Sequence, residues 1–488
     1  MSERDSVLSV NINDSRIFVF PFENSEANNL SVVNLKIKNQ IFEFNKPISL
    51  LSETANYLDN TVNNELNSIY FNNKRVAQKN ISVQGRSNED ALFKTTIESK
   101  GLIEIKSSIE DDGIIFDNEY YKFIIVPDKV KVLLVGKSEA EFVFIKSVLQ
   151  STSTTRMNYS FINSTNEKSI NFDNYDAAII IGSGNEVLQN KIYNYTSEGG
   201  SIILFPEQEM DYSNENKLLS KLGIPIFSKN FESLNGKTLN SFDIVDFNHP
   251  VFDELFTEDG REIESPKIYK YLKLKTNGLG RSIISLQDNS SFLSEYRIEN
   301  GKALLFNVHP NLEWSDFPVK NIFAPLLNRS LSYLVSNNSP NTKYISGDIL
   351  SVNISKRKSN QIKIVRPDNT EEIINVQDSK GKFINYERSN LPGIYKIYSN
   401  NSLIDVKAVN YNLFESNLES LTSNEISQKL KNDSNEFVEI SLEDDYKAKI
   451  SSMRFGSEYW HMFLVFALLL ALLEMFVAKS SKKDIAEL

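Results

Sequence analysis

The spacing of hydrophobic and polar positions divides the chain into stretches of different period. Up to about residue 127, short runs such as SVVNLKI, ISVQG, ALFKTTI, LIEIKSSI and YYKFIIV alternate apolar with polar residues and are separated by Asn, Asp and Gly. A period of two turns one face of each run inward, so residues 1–127 are expected to form an Ig-like β-sandwich. At Lys129 the pattern changes. VKVLLVG is continuously apolar, EAEFVFIKSVLQ has helical spacing, and YSFIN, DAAIIIG and SIILF follow as further strands. Continuous apolar runs suit strands covered on both faces. Between the last two strands, NEVLQNKIYNYTSEGG predicts a helix that stops at Gly199 and Gly200, giving a parallel βαβ unit. After a less regular stretch, KALLFNV predicts another strand and VKNIFAPLLNRSLSYLVSNN a closing amphipathic helix, so residues 128–337 read as an α/β domain. Alternation returns over residues 341–410, enough for a small second β-sandwich, and the polar segment 411–457 reads as a helical or loose stalk.

Residues 459–478, YWHMFLVFALLLALLEMFVA, set the class of the protein. About 20 apolar residues carry a helix across some 30 Å of hydrocarbon, so a transmembrane helix is expected here. Tyr459 and Trp460 sit where an aromatic belt would lie, and Lys479, Lys482 and Lys483 follow directly. The positive-inside rule then places the tail 479–488 in the cytoplasm and the bulk of the chain in the periplasm, on an inner membrane. Glu474 falls in the last turns of the span, where it can snorkel to the interface or meet a partner helix. The N-terminal MSERDSVLSVNINDSRIF does not have the form of a signal peptide. Two expectations follow: a tail-anchored protein with cytosolic domains, or a chain separated from an upstream segment that directs export.

Composition narrows the chemistry. The 488 residues carry 64 Asp and Glu against 53 Lys and Arg, with the basic residues scattered, so nucleic acid is not an expected partner. The lack of cysteine rules out disulfides, thiolate nucleophiles and Cys-ligated metal, and three histidines (His249, His309, His461) leave little for a metal site. No metal and no cofactor is expected.

Several phrases carry a resemblance: EDDGIIFDNEYYKFIIVPDKVKVLLVG, FNHPVFDELF, WSDFPVKNIFAPLLNRSLSYL, GIYKIYS with AVNYNLFESNLESL, and SEYWHMFLVFALLLALLEMFVAK. Together they resemble the Bat-type aerotolerance membrane proteins of Bacteroidetes and related bacteria, through most of the chain. The resemblance implies a β-sandwich, a flavodoxin-like domain similar to class I glutamine amidotransferases, a second β-sandwich and a terminal membrane helix. In that family a transmembrane pair and a von Willebrand A-like domain come first. This sequence resembles the part after them, and the Asp-x-Ser-x-Ser metal motif of the A-like domain is not found in it. Partners implied by the resemblance are other Bat-type envelope proteins and, across the membrane, a MoxR-type ATPase.

Amidotransferase chemistry needs a Cys on a strand-to-helix elbow, with a His and a Glu to activate it. After SIILF that position holds Phe205, Pro206, Glu207 and Gln208, so the domain is expected to be degenerate. His309 and Glu313 in NVHPNLEW resemble a vestigial base and its carboxylate. Gly182, Ser183, Gly184 and Asn185 end a buried strand, either as a plain turn or as backbone amides that could hold a ligand. Trp314 and Phe317, beside Asp316, form either a docking edge or a packed turn. The leading expectation is a non-catalytic envelope scaffold. The alternatives are a module sensing a small anion or glycan on the α/β domain, and a hydrolase using His309 with Glu313, Asp316 and His249.

Overall fold

The computed structural model describes residues 16–19, 29–110, 114–151, 156–232, 237, 239–253, 255–256, 263–275, 280–336, 343–377, 381–413, 416, 425, 436–440, 445–456 and 459–484. The protein is a β-rich assembly of several sheets with one apolar helix near its C-terminus. It divides into two units, one of residues 1–27 with 417–488 and one of residues 28–416. In the first unit, β1 (Arg16–Val19) pairs in parallel with a strand at Glu436–Glu439, followed by helices at Tyr446–Phe455 and Trp460–Asp484. The first sandwich was expected over residues 1–127 and a stalk over 411–457; among the described residues of these stretches, Arg16–Val19 and Glu436–Glu439 form the strand pair, a contact whose sequence separation leaves no local signal.

The unit 28–416 opens with seven strands: β2 (Leu30–Ile37), β3 (Pro47–Asn56), β4 (Val62–Phe71), β5 (Lys74–Val83), β6 (Asn88–Thr96), β7 (Gly101–Ser108) and β8 (Glu119–Val126). They form a β2-β3-β6 sheet and a β5-β4-β7-β8 sheet. Leu35, Ile48 and Leu50 from one sheet and Ile69, Ile103 and Ile105 from the other build their shared core. The i, i+2 spacing of these residues is what places them on one face.

The central body holds β9 (Lys129–Gly136), α1 (Val143–Ser151), β10 (Arg156–Asn163), β11 (Ala177–Ile181), α2 (Glu186–Ser197), β12 (Ser201–Phe205) and α3 (Tyr212–Lys221). It continues through β13 (Phe227–Glu232), β14 (Phe242–Val245), β15 (Lys270–Leu274), β16 (Arg281–Leu286), β17 (Ser291–Ile298), β18 (Gly301–Phe306) and α4 (Phe323–Ser336). Its eight-stranded sheet has the order β10-β9-β11-β12-β18-β17-β16-β14, parallel through β18 and antiparallel beyond. From β9 the chain steps one way to β10, and from β11 it steps the other way to β12. Right-handed crossovers therefore put α1 and α2 on opposite faces. Accordingly α1 packs with α4, and α2 with α3. The reversal of direction falls between β9 and β11, where open α/β sheets form a crevice at the strands' carboxyl ends.

The third body contains β19 (Tyr344–Ile345), β20 (Leu350–Asn353), β21 (Gln361–Val365), β22 (Glu371–Asn375), β23 (Phe383–Tyr386), β24 (Gly393–Ser399) and β25 (Ser402–Asn410). A five-stranded sheet, β19-β25-β24-β21-β22, and the β20-β23 pair share a core that includes Val352, Ile364, Tyr395 and Ile397. Polar contacts tie the three bodies together. Glu43 accepts from Arg329 Nη1 (2.9 Å) and Ser332 Oγ (3.2 Å) of α4, and Ile41 enters the core of the central body. Asn410 exchanges two hydrogen bonds with the Tyr121 main chain (2.6 and 3.1 Å).

Candidate functional site at the carboxyl edge of the parallel sheet

The two strands that flank the reversal, β9 and β11, run into glycines at the crevice. At the end of β9, a Cβ on Gly136 would lie 2.7 Å from the Phe142 ring, so only glycine lets the chain turn there. The turn enters a capping box: Ser138 Oγ accepts the Ala140 amide (3.3 Å) and Glu141 Oε2 accepts the Ser138 amide (3.0 Å). At the end of β11, Gly182 has φ +81° and Gly184 +61°, conformations costly for other residues. Asn185 then caps α2 by accepting the Leu188 amide (3.0 Å). Asn214 Nδ2 donates to Ser183 Oγ (2.9 Å) and to the Gly184 carbonyl, while its Oδ1 accepts from Gln189 (3.0 Å). The side chains and carbonyls of Gly182 to Asn185 are thus largely engaged by their own neighbours.

Phe205 stacks on Phe306 at 4.6 Å with the rings 9° from parallel, and Pro206 is buried behind it. Glu207 forms an ion pair with Lys137 and packs beneath Gly182, where a Cβ would come 3.4 Å from its Oε1. Glu215 of α3 is 4% exposed and its Oε1 has no hydrogen-bond partner. Burial, and then the nearby Glu207 charge, push the Glu215 carboxyl up to about 8. The Glu141 carboxyl is also raised, first by burial and with a contribution from Glu207. With Glu215 protonated at pH 7 and Glu207 paired with Lys137, the three carboxyl groups at this edge do not add up to three negative charges.

The other sequence-selected residues separate. His309 is buried near Trp314, its ring nitrogens without a well-aligned hydrogen bond. Burial lowers its pKa to about 4, with the Asn311 side chain opposing and Lys270 adding to the effect, so the ring is neutral at pH 7. Glu313 does not orient it: Glu313 is exposed and accepts instead from Gln208 Nε2 (2.8 Å), joining the loops after β12 and β18. Trp314 and Phe317 are both buried, which resolves them as a packed turn. Asp316 accepts the Lys267 amide (2.6 Å).

His249 belongs to a different buried network, which its local sequence did not signal. Its Nδ1 accepts the Val251 amide (3.3 Å), which leaves the proton on Nε2 to face Glu295 at 3.1 Å. Tyr333 donates to Glu295 (2.5 Å) and Lys302 lies 3.7 Å away. Burial alone would raise the Glu295 carboxyl, but bonds from His249 and Tyr333 and the charge of Lys302 outweigh it and hold the group at about 2. The network joins the loop at FNHPVF to β17, β18 and α4, so its role is to hold the fold.

The helix at Trp460–Asp484 contains a stretch, Trp460–Ala478, with mean hydropathy 2.3 and no residue buried within the protein. Nineteen residues span about 28 Å, close to the thickness of a hydrocarbon core. Tyr459 and Trp460 are exposed at its start, Glu474 lies within it, and the helical backbone continues through Lys479, Lys482 and Lys483. The side chains of those three lysines lie outside the described residues. Among the described residues, no group of three Asp, Glu or His side chains that could hold a metal ion occurs.

No protein-family model and no curated protein matches the chain. Among solved structures, a cytoplasmic protein from Salmonella typhimurium is similar at 15% identity and TM-score 0.34, over 42% of this chain and 99% of that one. A ThuA-like protein from Bacteroides uniformis is similar at 13% identity and TM-score 0.33, over 43% and 92%. A CARDB domain from Pyrococcus furiosus, solved with di-metal ions, is similar at 16% identity and TM-score 0.19, over 21% and 90%. None of these likenesses assigns a function.

Proposed function

We propose that this chain is a non-catalytic, membrane-anchored interaction protein of the cell envelope, of the Bat/MoxR-associated type. In this reading the central body is a degenerate flavodoxin-like, amidotransferase-like module, most of the chain is periplasmic, and the helix from Trp460 is an inner-membrane anchor. The observation that carries it is the end of β12. The nucleophile position is taken by Phe205 packed on Phe306, and Glu207 is bound to Lys137, which leaves no activated group for acyl transfer. Two apolar side chains at the helix starts beside this edge, Val143 and Val187, are 55% and 50% exposed and offer surface that a partner protein could cover.

Site-directed photo-crosslinking in intact cells tests this, with the probe at Val143 or Val187 of the full chain. The expected result is a discrete adduct with another envelope membrane protein, such as a Bat-type relative. Stable expression with no adduct from either position would count against the scaffold. A His309→Ala, Glu313→Ala double variant separates the hydrolase alternative: it is expected to support growth like the native chain, and a lost phenotype would favour catalysis.

The unpartnered Glu215 Oε1 favours one second reading, a sensor on the same edge. Its ligand would be a glycan, with a hydroxyl group to meet the protonated Glu215 carboxyl.

A further inference from the structure

One face of the helix at Trp460–Asp484 differs from the others. Within the apolar stretch Trp460–Ala478 the small residues are Ala467, Ala471 and Ala478, and the charged one is Glu474. Every other position there holds Trp, His, Met, Phe, Leu or Val. At about 100° per residue, the three alanines and Glu474 all fall within an arc of about 60°.

Lipid alone gives no reason for such a face. Leucine is as apolar as a lipid tail, so a helix that only anchors needs no side of distinct composition. A carboxyl group within the hydrocarbon also has no water to bond. The positions one turn from Glu474 on its own helix hold Leu470, Ala471, Val477 and Ala478, none of which can donate to it or neutralise it. Position 479, the first lysine, lies about 140° round the helix from it. A donor for Glu474 therefore has to come from a second helix.

The spacing points to which helix that is. The steps from Ala467 to Ala471, Glu474 and Ala478 are four, three and four, the alternation of a seam between two helices crossing at about +20°. Alanine lets two such backbones approach closely. A second copy of this chain enters the membrane in the same direction, so its helix runs parallel and sets each seam residue against its own counterpart. Two Glu474 side chains then meet at one depth, where a pair of carboxyl groups can share one proton in a hydrogen bond. A helix of other sequence would have to supply a donor at that depth, which a second copy does by symmetry.

We infer that the helix pairs in parallel with a second copy of this chain, through Ala467, Ala471 and Ala478, with Glu474 meeting its counterpart. This rests on the helix being a membrane anchor. Because the chain contains no cysteine, single cysteines report the contact without background. Ala471→Cys lies on the seam, and Leu469→Cys lies about 160° away at nearly the same depth. Each full chain is treated in membranes with a mild oxidant such as copper phenanthroline. Ala471→Cys is expected to give a disulfide-linked dimer in at least about tenfold greater yield than Leu469→Cys, since only facing cysteines come within bonding reach. Adding Glu474→Leu to Ala471→Cys is expected to lower that yield, and Glu474→Gln, whose amides can pair with each other, to keep it. Equal yields from the two faces, no dimer from either, or a yield unchanged by Glu474→Leu would overturn the pairing. Washing the same membranes at alkaline pH separates this inference from the one beneath it: a retained chain with no dimer overturns the pairing alone, and a released chain overturns the anchor as well.

Discussion

Glu215→Gln is expected to make the protein more stable at pH 8 and to remove most of the stability it loses between pH 5 and 8. In the folded chain the Glu215 carboxyl holds its proton up to about pH 8, whereas its ordinary value is 4.5. Between those values the folded state binds the extra proton, so stability falls as pH rises, by up to about 1.4 kcal/mol per pH unit. Across the window the loss is on the order of 3–5 kcal/mol. Glutamine keeps the shape of the protonated acid without a charge to desolvate, so the variant has nothing to lose on that side. His309 acts in the opposite sense. Its pKa is lowered from 6.5 to about 4, so its contribution is present above 6.5 and lost as pH falls towards 4. Where the two windows overlap the slopes offset one another, giving a broad maximum near pH 5–6.5 with Glu215 governing the alkaline side. At lower pH, Glu295 and Asp288, both held at about 2, become protonated and their stabilisation is lost as well. Melting curves of the native chain and the variant from pH 4 to 9 check this. Parallel profiles above pH 6.5 would mean that Glu215 is not the group responsible.

Glu43→Ala is expected to destabilise the protein by about 3 kcal/mol, near the lower figure for breaking a buried ion pair. The Glu43 and Arg329 side chains are 12% and 11% exposed, and the Arg329 Nε already lacks a partner. Removing the carboxylate leaves a buried guanidinium unpaired and also strands Ser332. The full desolvation cost of the cation is then felt, where in the native chain it is offset by the pair. A double variant, Glu43→Leu with Arg329→Leu, removes both charges and is expected to recover most of the loss. Urea unfolding of the three chains measures this. Equal stability of the single and double variants would show that the destabilisation comes from lost packing and not from an unpaired charge.

The sequence disclosed elements where one physical requirement acts along a continuous stretch. VLLV in β9 and IILF in β12 are continuously apolar because both faces of these strands are covered there, and Asn185 with Gly199 and Gly200 marks the ends of α2. The apolar segment from Trp460 is legible for the same reason. The antiparallel extension β14, β16 and β17 was not. Its strands are short or serine-rich and their registers shift, so the alternation that marks a strand is interrupted. The parallel pair at Arg16–Val19 and Glu436–Glu439 was also invisible, since pairing partners far apart in sequence leave no periodic trace. At the candidate site, the segment Phe205 to Gln208 that follows β12 could be read directly. The carboxyl cluster could not. Glu141, Glu207 and Glu215 come from three separate segments, and only the fold shows that they share one edge. The same holds for His309 and Glu313, which neighbour each other in sequence yet find different surroundings.

The measurement that bears most directly on the proposed role is retention in the membrane. The full chain would be expressed in bacterial cells and its membranes washed at alkaline pH, beside a version ending before Tyr459. An integral anchor at Trp460–Ala478 requires the full chain to stay in the washed membrane and the shortened one to be released. Release of the full chain into the supernatant would contradict the anchor and, with it, the proposal of a membrane-fixed envelope protein.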